Sequence, residues 1–327
     1  MKLATWDNGE RDGRLVVISQ DLRQMADAGD IAPTLQQALE RSAETWPARA
    51  ARYQALNENR CASAQPCDLR QLMAPLPRAW QWLDGSAFLS HSARMQQAFS
   101  LPPIAGIESI PLMYQGCGDD FLGPYAEIPY GTDEDGLDFE GEFAVIVDEV
   151  ERGCTPRDAL TRVRLIVQLN DISMRAYAPR ELQTGFGFIH AKPSSAFAPV
   201  AVTPDELGRA WIDGRVDLPL RVLRNGRLVG CQEGGEMHFN FGELIAHAAK
   251  TRRLRAGTVV GSGTVSGENA ARGASCIAEL RAIEMLAHGQ PQTPFLQPGE
   301  RVVMEARTPD DKPLFGALDQ TVAAPVR

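Results

Sequence analysis

From Asp138 to Val147 the chain reads Asp-Phe-Glu-Gly-Glu-Phe-Ala-Val-Ile-Val, an acidic alternation running directly into five apolar residues. Alternate side chains of a strand share a face, so a strand starting near Asp138 sets Asp138, Glu140 and Glu142 side by side. The apolar continuation predicts that this strand is buried. Carboxylates carried into such surroundings repel one another unless a cation sits among them. A solvated acidic edge is the plainer reading, and the apolar continuation favours a metal over it.

The remaining sequence frames that strand. A chain of 327 residues has room for a large domain and a smaller one. Residues 1–75 read as a separate unit. Leu3–Thr5 and Leu15–Ser19 look like strands joined through Asn8-Gly9 and Asp12-Gly13, and a helix is expected from Pro33 to about Arg49 with Leu35, Ala38, Leu39 and Ala43 on its apolar face. The proline-broken stretch Leu72–Pro77 marks the boundary, so residues 76–327 form the second unit. There, short β-like runs dominate: Phe143–Val147, Arg162–Leu169, Val200–Thr203, Pro219–Leu223 and Val302–Glu305. Asn225-Gly226 predicts a hairpin, and Phe241–Lys250 is the clearest helix of this unit.

Composition narrows the function. The formal charge of −9 disfavours nucleic acid and anionic membranes as partners, and an anionic substrate would need a local cation. No stretch approaches a membrane span. The first sixteen residues are charged throughout and lack the apolar core of a signal peptide, which predicts a cytoplasmic protein. The six scattered cysteines predict reduced thiols, with a Cys61–Cys67 bridge as the lesser alternative.

Four further places carry chemistry. Asp171 ends the apolar run Leu165–Asn170, and is either a cap or a ligand; Arg175 and Lys192 follow it. Asp84 and His91 are seven residues apart, two turns along one face if the segment is helical, with Ser86 as a candidate cap. A lone histidine is more often structural than catalytic. Gly261-Ser262-Gly263-Thr264-Val265-Ser266-Gly267 lacks the spacing of a phosphate loop and reads better as amide and hydroxyl donors beside an oxyanion. Glu279 lies in an otherwise apolar stretch and needs a partner.

In this order the pieces D-x6-H, D-x-E-x-E, N-D-x-S-x-R, Lys, S-G-T-x-S-G and a final Glu resemble fumarylacetoacetate hydrolases, from about Asp84 to Glu279. The first 75 residues are similar to the small N-terminal domain of fumarylacetoacetases. The resemblance implies an α+β fold, a β-rich catalytic domain of mixed β-roll type behind a small N-terminal α/β domain. It implies a homodimer, and a divalent cation held by Asp84, Glu140, Glu142 and Asp171. All-oxygen ligation suits Mg²⁺ or Ca²⁺. It further implies a water-activating dyad of His91 and Glu279, Arg175 and Lys192 as stabilisers of developing negative charge, and Tyr114 and Thr264 as substrate contacts. The sequence departs from the family pattern at Ala178, where the pattern has an oxyanion-binding Gln, and at Gln115-Gly116-Cys117, where His-Gly-Arg follows the Tyr. The activity implied is hydrolysis of a carbon–carbon bond in a small 1,3-diketo acid, as in aromatic amino-acid catabolism. A decarboxylase, hydratase or isomerase of the same superfamily is the alternative, and a cation-binding protein without activity is the third.

Overall fold

The apolar run that follows the acidic residues is a central strand of the molecule. The computed structural model describes residues 1–325. The chain begins with β1 (Lys2–Trp6), β2 (Arg14–Ile18), β3 (Gln24–Asp27), α1 (Leu35–Glu40), α2 (Ser42–Asn57) and β4 (Ala64–Pro66). It continues with β5 (Trp82–Gly85), α3 (Leu89–Phe99), β6 (Met113–Gly116), β7 (Leu137–Asp138), β8 (Gly141–Val147), α4 (Pro156–Leu160), β9 (Val163–Asn170), β10 (Ser173–Met174) and α5 (Ala178–Thr184). Then come β11 (Ala196–Phe197), β12 (Ala201–Val202), β13 (Trp211–Ile212), β14 (Arg215–Val216), β15 (Pro219–Arg224), β16 (Arg227–Glu233), α6 (Phe241–Ala248), β17 (Val259–Gly261), α7 (Ile277–His288), β18 (Arg301–Ala306) and β19 (Leu318–Thr321).

One sheet runs β4-β3-β2-β1-β12-β9-β8-β17-β5-β6, with β11 also on β9. Its pairs are antiparallel except β17 with β5. The N-terminal strands belong to this same sheet, joined through β1 and β12. A second, antiparallel sheet of order β16-β15-β18-β19 packs against it. β8 lies between β9 and β17 and is buried along its length. Its alternation serves two cores: Phe143, Val145 and Val147 enter one, Ala144 and Ile146 the other. Burial of each large apolar side chain contributes roughly 1.5–3 kcal/mol, which holds the adjacent carboxylates in place against their own desolvation. The result is the mixed α+β architecture expected from the sequence.

The Asn225-Gly226 turn closes β15 on β16 with both residues at positive φ, 51° and 76°, the left-handed geometry that favours this dipeptide. α6 starts on an Asn240–Glu243 capping box. The helix expected from Pro33 to Arg49 is instead two helices. Arg41 leaves helical geometry at φ −112°, ψ 37° and ends α1 as it begins α2. The break re-phases the buried face, so Ala43 is exposed while Ser42, Thr45 and Arg49 are buried. The Asp84–His91 segment is not one helix either. Asp84 is on β5, α3 begins at Leu89, and its N-cap is Phe88 rather than Ser86. No disulfide joins Cys61 to Cys67; all six cysteines are free. No helix among the described residues is long and apolar enough to cross a membrane.

Candidate active site

Three carboxylates converge where β5, β8 and β9 end. Asp84, Glu142 and Asp171 each offer an oxygen within 4.8 Å of the others, and exposure is 2%, 0% and 0%. β5 and β8 flank β17, whose Gly261 lies opposite both Asp84 and Ala144. A Cβ on Gly261 would lie 2.2 Å from Asp84 Oδ1, so the position leaves room only for hydrogen. Gly263, at φ 74° and with Gly85 O 2.4 Å from where its Cβ would be, donates its amide to Asp84 at 3.1 Å. Asp171 accepts hydrogen bonds from Ser195 Oγ at 2.7 Å, from Lys192 Nζ at 2.6 Å and from the Tyr114 hydroxyl. Trp82 Nε1 donates to the same Ser195 at 3.1 Å and fixes it.

Glu142 is the exception: neither of its buried oxygens accepts a hydrogen bond. Burial, and behind it Asp171, pushes Asp84 up to about 8. Burial and then Asp84 push Glu142 well above the usual carboxylate range. A buried carboxylate without donors is costly as an anion, so this group either holds protons or surrounds a cation. Its donors are all carboxylate oxygens, which suits a hard divalent ion.

The acidic run does not act as one three-carboxylate face. The strand is interrupted between β7 and β8, where Glu140 bridges to Cys276, and Asp138 accepts from the amides of Ile277 and Ala278 at 2.7 and 2.9 Å, at the first turn of α7. That is an anion at a helix N-terminus, with Arg175 Nε donating to it at 2.8 Å. Glu140 lies between the two groups. It pairs with Arg175 and accepts from Lys192 Nζ at 2.9 Å, and it is outside the set of three oxygens within 4.8 Å. Burial raises its pKa, but Lys192 and Arg175 outweigh that and hold it well below the usual carboxylate range. Lys192 is no solvated surface residue: its side chain is 10% exposed, and Asp171 and Glu140 overcome burial to keep it charged.

His91 projects from the first turn of α3 and its Nδ1 lies 2.7 Å from Glu279 Oε2, on α7. Glu279 is fully buried and also accepts from Ser266 Oγ at 2.7 Å and from Arg94. Burial raises Glu279, and His91, Ser266 and Arg94 reverse it, so it stays ionised. With Nδ1–H held on Glu279, Nε2 is the free base. The sequence offers Arg94 only as an arginine near His91, and Ser266 only as one hydroxyl of the Gly-rich loop; Arg94 stands one turn after His91 on the same helix, which brings both to Glu279. It also donates to the carbonyl of Gly267 at 2.9 Å, tying α3 to the Gly-rich loop. The donors of that loop are largely spent on carboxylates, Gly263 on Asp84 and Ser266 on Glu279, rather than left free for an oxyanion.

A cavity of about 490 Å³ is lined in part by Asp84, His91, Tyr114, Glu140, Arg175, Lys192 and Thr264, while Glu142, Asp171 and Glu279 are buried outside its lining. The cavity thus brings together one edge of the carboxylate nest, two cations and a histidine base. Ala178, at the start of α5, does not line it.

Residues 81–323 match the family model of the fumarylacetoacetate (FAA) hydrolase C-terminal region, and residues 1–78 that of fumarylacetoacetase N-terminal domain 2. Over 164 residues the chain is 28% identical to a 2,4-didehydro-3-deoxy-L-rhamnonate hydrolase from a Sphingomonas species, covering 49% of this chain and 55% of that protein. Over 201 residues it is 27% identical to an oxaloacetate tautomerase of Bacillus subtilis, covering 60% and 62%. The match thus spans little more than half the length of these curated relatives. Among solved structures, a putative HpcE protein from Mycobacterium smegmatis superposes over 99% of both chains with TM-score 0.68 at 18% identity. Maleylpyruvate hydrolase from Sphingobium sp. SYK-6, in complex with manganese(II) and pyruvate, superposes over 99% of this chain and 100% of its own with TM-score 0.63 at 17% identity. With both family models matched end to end, and the residues that suggested the resemblance gathered around one cavity, the chain belongs to the fumarylacetoacetate hydrolase family.

Proposed function

We propose that this protein hydrolyses a carbon–carbon bond in a small 1,3-diketo acid with the help of a divalent cation. The observation that carries the reading is the His91–Glu279 pair, clamped by Arg94 and Ser266, with His91 lining the same cavity as Asp84, the neighbour of the donor-free Glu142. Asp84, Glu142 and Asp171 would hold the ion, with Glu140 beside them; such an ion supplies Lewis-acid polarisation of a carbonyl oxygen. Mg²⁺, Ca²⁺ and Mn²⁺ all suit oxygen donors, and the maleylpyruvate hydrolase above carries manganese.

The chain's own residues supply the rest. His91 Nε2 takes a proton from water, while Glu279 holds the imidazole tautomer and balances the imidazolium. The resulting hydroxide adds to the distal carbonyl carbon. When the C–C bond breaks, that carbon leaves as a carboxylic acid. The electron pair stays on the other carbon, which takes the proton back and leaves as a 2-oxo acid. Lys192 and Arg175 flank the developing negative charge.

A tautomerase or isomerase is the second reading. The oxaloacetate tautomerase relative favours it, as does Ala178, which removes the glutamine amide the family pattern would offer an oxyanion. That chemistry moves a proton between carbon and oxygen and consumes no water. Incubation of the purified protein with a panel of diketo acids, with and without Mg²⁺ or Mn²⁺, tests the choice. The hydrolase yields two acids in equal amounts, and only with the cation. A single isomeric product would establish the tautomerase in its place.

A further inference from the structure

The two ends of the cavity are chemically unlike. At the floor are the carboxylates, Lys192, Arg175 and His91. Away from it the lining is mainly apolar, built from Met95 of α3, Leu101 and Ile104 of the following loop, Leu112 before β6, and Leu182 and Phe188 from α5 and the segment beyond it, with Ser92 and Gln96 of α3 as uncharged polar members of the same lining. Phe188 joins the two zones, packing edge-on against Tyr114 with ring centroids 5.0 Å apart, while the Tyr114 hydroxyl bonds Asp171. Leu101, Ile104 and Leu182 are 49%, 44% and 66% exposed. Leucine and isoleucine side chains held open along a cavity mouth gain by being covered.

The cationic groups lie at the other end. Among the residues lining this cavity the only arginine and lysine are Arg175 and Lys192, and both are already engaged: Arg175 by Asp138 and Glu140, Lys192 by Glu140 and Asp171. A substrate's first carboxylate can be met at the floor, by the cation of the proposed function and by the remaining donor of Lys192. A second carboxylate at the far end would lie against Leu101, Ile104 and Met95 with no counter-charge, and would leave the exposed apolar surface of Leu101 and Ile104 uncovered. An alkyl or aryl end would instead bury its carbons there.

We infer that the substrate is a monocarboxylic 2,4-dioxo acid with an apolar far end, and that the wall of Met95, Leu101, Ile104 and Phe188 selects against a dicarboxylate. The inference rests on the hydrolase reading and specifies its substrate. Each methylene that the wall covers is worth roughly fourfold in kcat/KM, so a tail of several carbons sets a graded series.

The test compares 2,4-dioxooctanoate with 2,4-dioxooctanedioate, equal in length and differing only in whether the far end is methyl or carboxylate. It uses the full chain with saturating Mg²⁺ or Mn²⁺, and both the wild-type protein and Leu101→Arg. Leu101 is half exposed, so an arginine there costs the fold little and places a cation at the mouth. The expected result is a wild-type kcat/KM at least tenfold higher for the monocarboxylate, and a ratio shifted at least tenfold toward the dicarboxylate in Leu101→Arg. Equal or faster cleavage of the dicarboxylate by the wild-type protein overturns the apolar-end assignment and leaves the hydrolase reading standing. A folded Leu101→Arg protein with an unchanged ratio overturns the placing of the tail along this wall. Cleavage of neither acid overturns the hydrolase reading itself, and this inference with it.

Discussion

Glu142 and Glu279 are both glutamates with 0% exposure, each beside a side chain that lines the same cavity (Asp84 and His91), yet one accepts no hydrogen bond and the other is held by three partners. Burial is therefore not what distinguishes them. Glu279 is supplied with an imidazole, a guanidinium and a hydroxyl by α3 and the Gly-rich loop, which keep it an anion without outside help. Glu142 faces Asp84 and Asp171 without a hydrogen-bond donor of its own, and Lys192, already held by Glu140 and Asp171, is the charge that opposes their repulsion. The one environment is complete and tunes a base; the other is incomplete and calls for a cation. Asp138, four residues before Glu142, shows the same rule within a single run, since helix amides and Arg175 satisfy it fully.

The largest expected effect separates base from nest. His91→Ala should lower kcat by about 10²–10⁴-fold while calorimetric titration of Mg²⁺ or Mn²⁺ gives the wild-type affinity. Loss of cation binding in this variant would mean that the two environments are one site. Glu142→Gln should do the reverse, weakening cation affinity at least tenfold, by about 1.4 kcal/mol or more, without lowering the melting temperature of the metal-free protein. A marked loss of metal-free stability in Glu142→Gln would show that the carboxylate has a structural partner after all.

Glu279→Gln sharpens the contrast through stability. It leaves the largely buried Arg94 guanidinium without its anion, a change that costs about 3–5 kcal/mol when a buried pair is broken. A chemical denaturation curve should show that loss in Glu279→Gln and none in Glu142→Gln. Equal losses would remove the distinction.

The smallest effect is in pH, and the two groups carry opposite signs. Asp84, raised from 3.8 to about 8 in the metal-free protein, contributes stability that is fully present below 3.8 and is lost as pH rises through 8. Burial is the largest cause of that shift; Asp171 and Glu140 add to it, and Lys192 and Glu142, which also face Asp84, oppose it. Glu279, lowered from its ordinary 4.5, contributes stability present above that value and lost as pH falls through its folded value. Metal-free melting temperatures should therefore decline between pH 5 and 8, and excess divalent cation should flatten the decline. A metal-free protein that gains stability steadily over that range would contradict the account of the nest.

Much of this was legible in the sequence, though not always for the right reason. β8, the Asn225-Gly226 hairpin and α6 follow from local patterning, because alternation, turn chemistry and capping act within a few residues. Asp84 and His91 do meet at the cavity, but as a strand end and a helix start, not as two turns of one helix. Asp138 reads as equivalent to Glu142 because period-two alternation cannot register the strand interruption at Phe139-Glu140 or the approach of α7. The parallel pairing of β17 with β5, which sets Gly261 against Asp84, is a long-range choice that no local pattern carries. The contacts of Arg94 and Ser266 are hidden for the same reason: both are made to Glu279, which is remote from Arg94 in sequence. Arg41 lacks any breaker signature, so the split between α1 and α2 was hidden as well.

The central claim is that the completed environment of Glu279 exists to make His91 a base toward water. Turnover of a 2,4-dioxo acid in ¹⁸O-labelled water, with mass analysis of both products, tests it most directly. The account predicts one solvent oxygen in the new carboxylate of the acid released from the distal carbonyl, at a rate that collapses in His91→Ala. Conversion of the substrate to an isomer, or release of CO₂, with no label in a new carboxylate would contradict it.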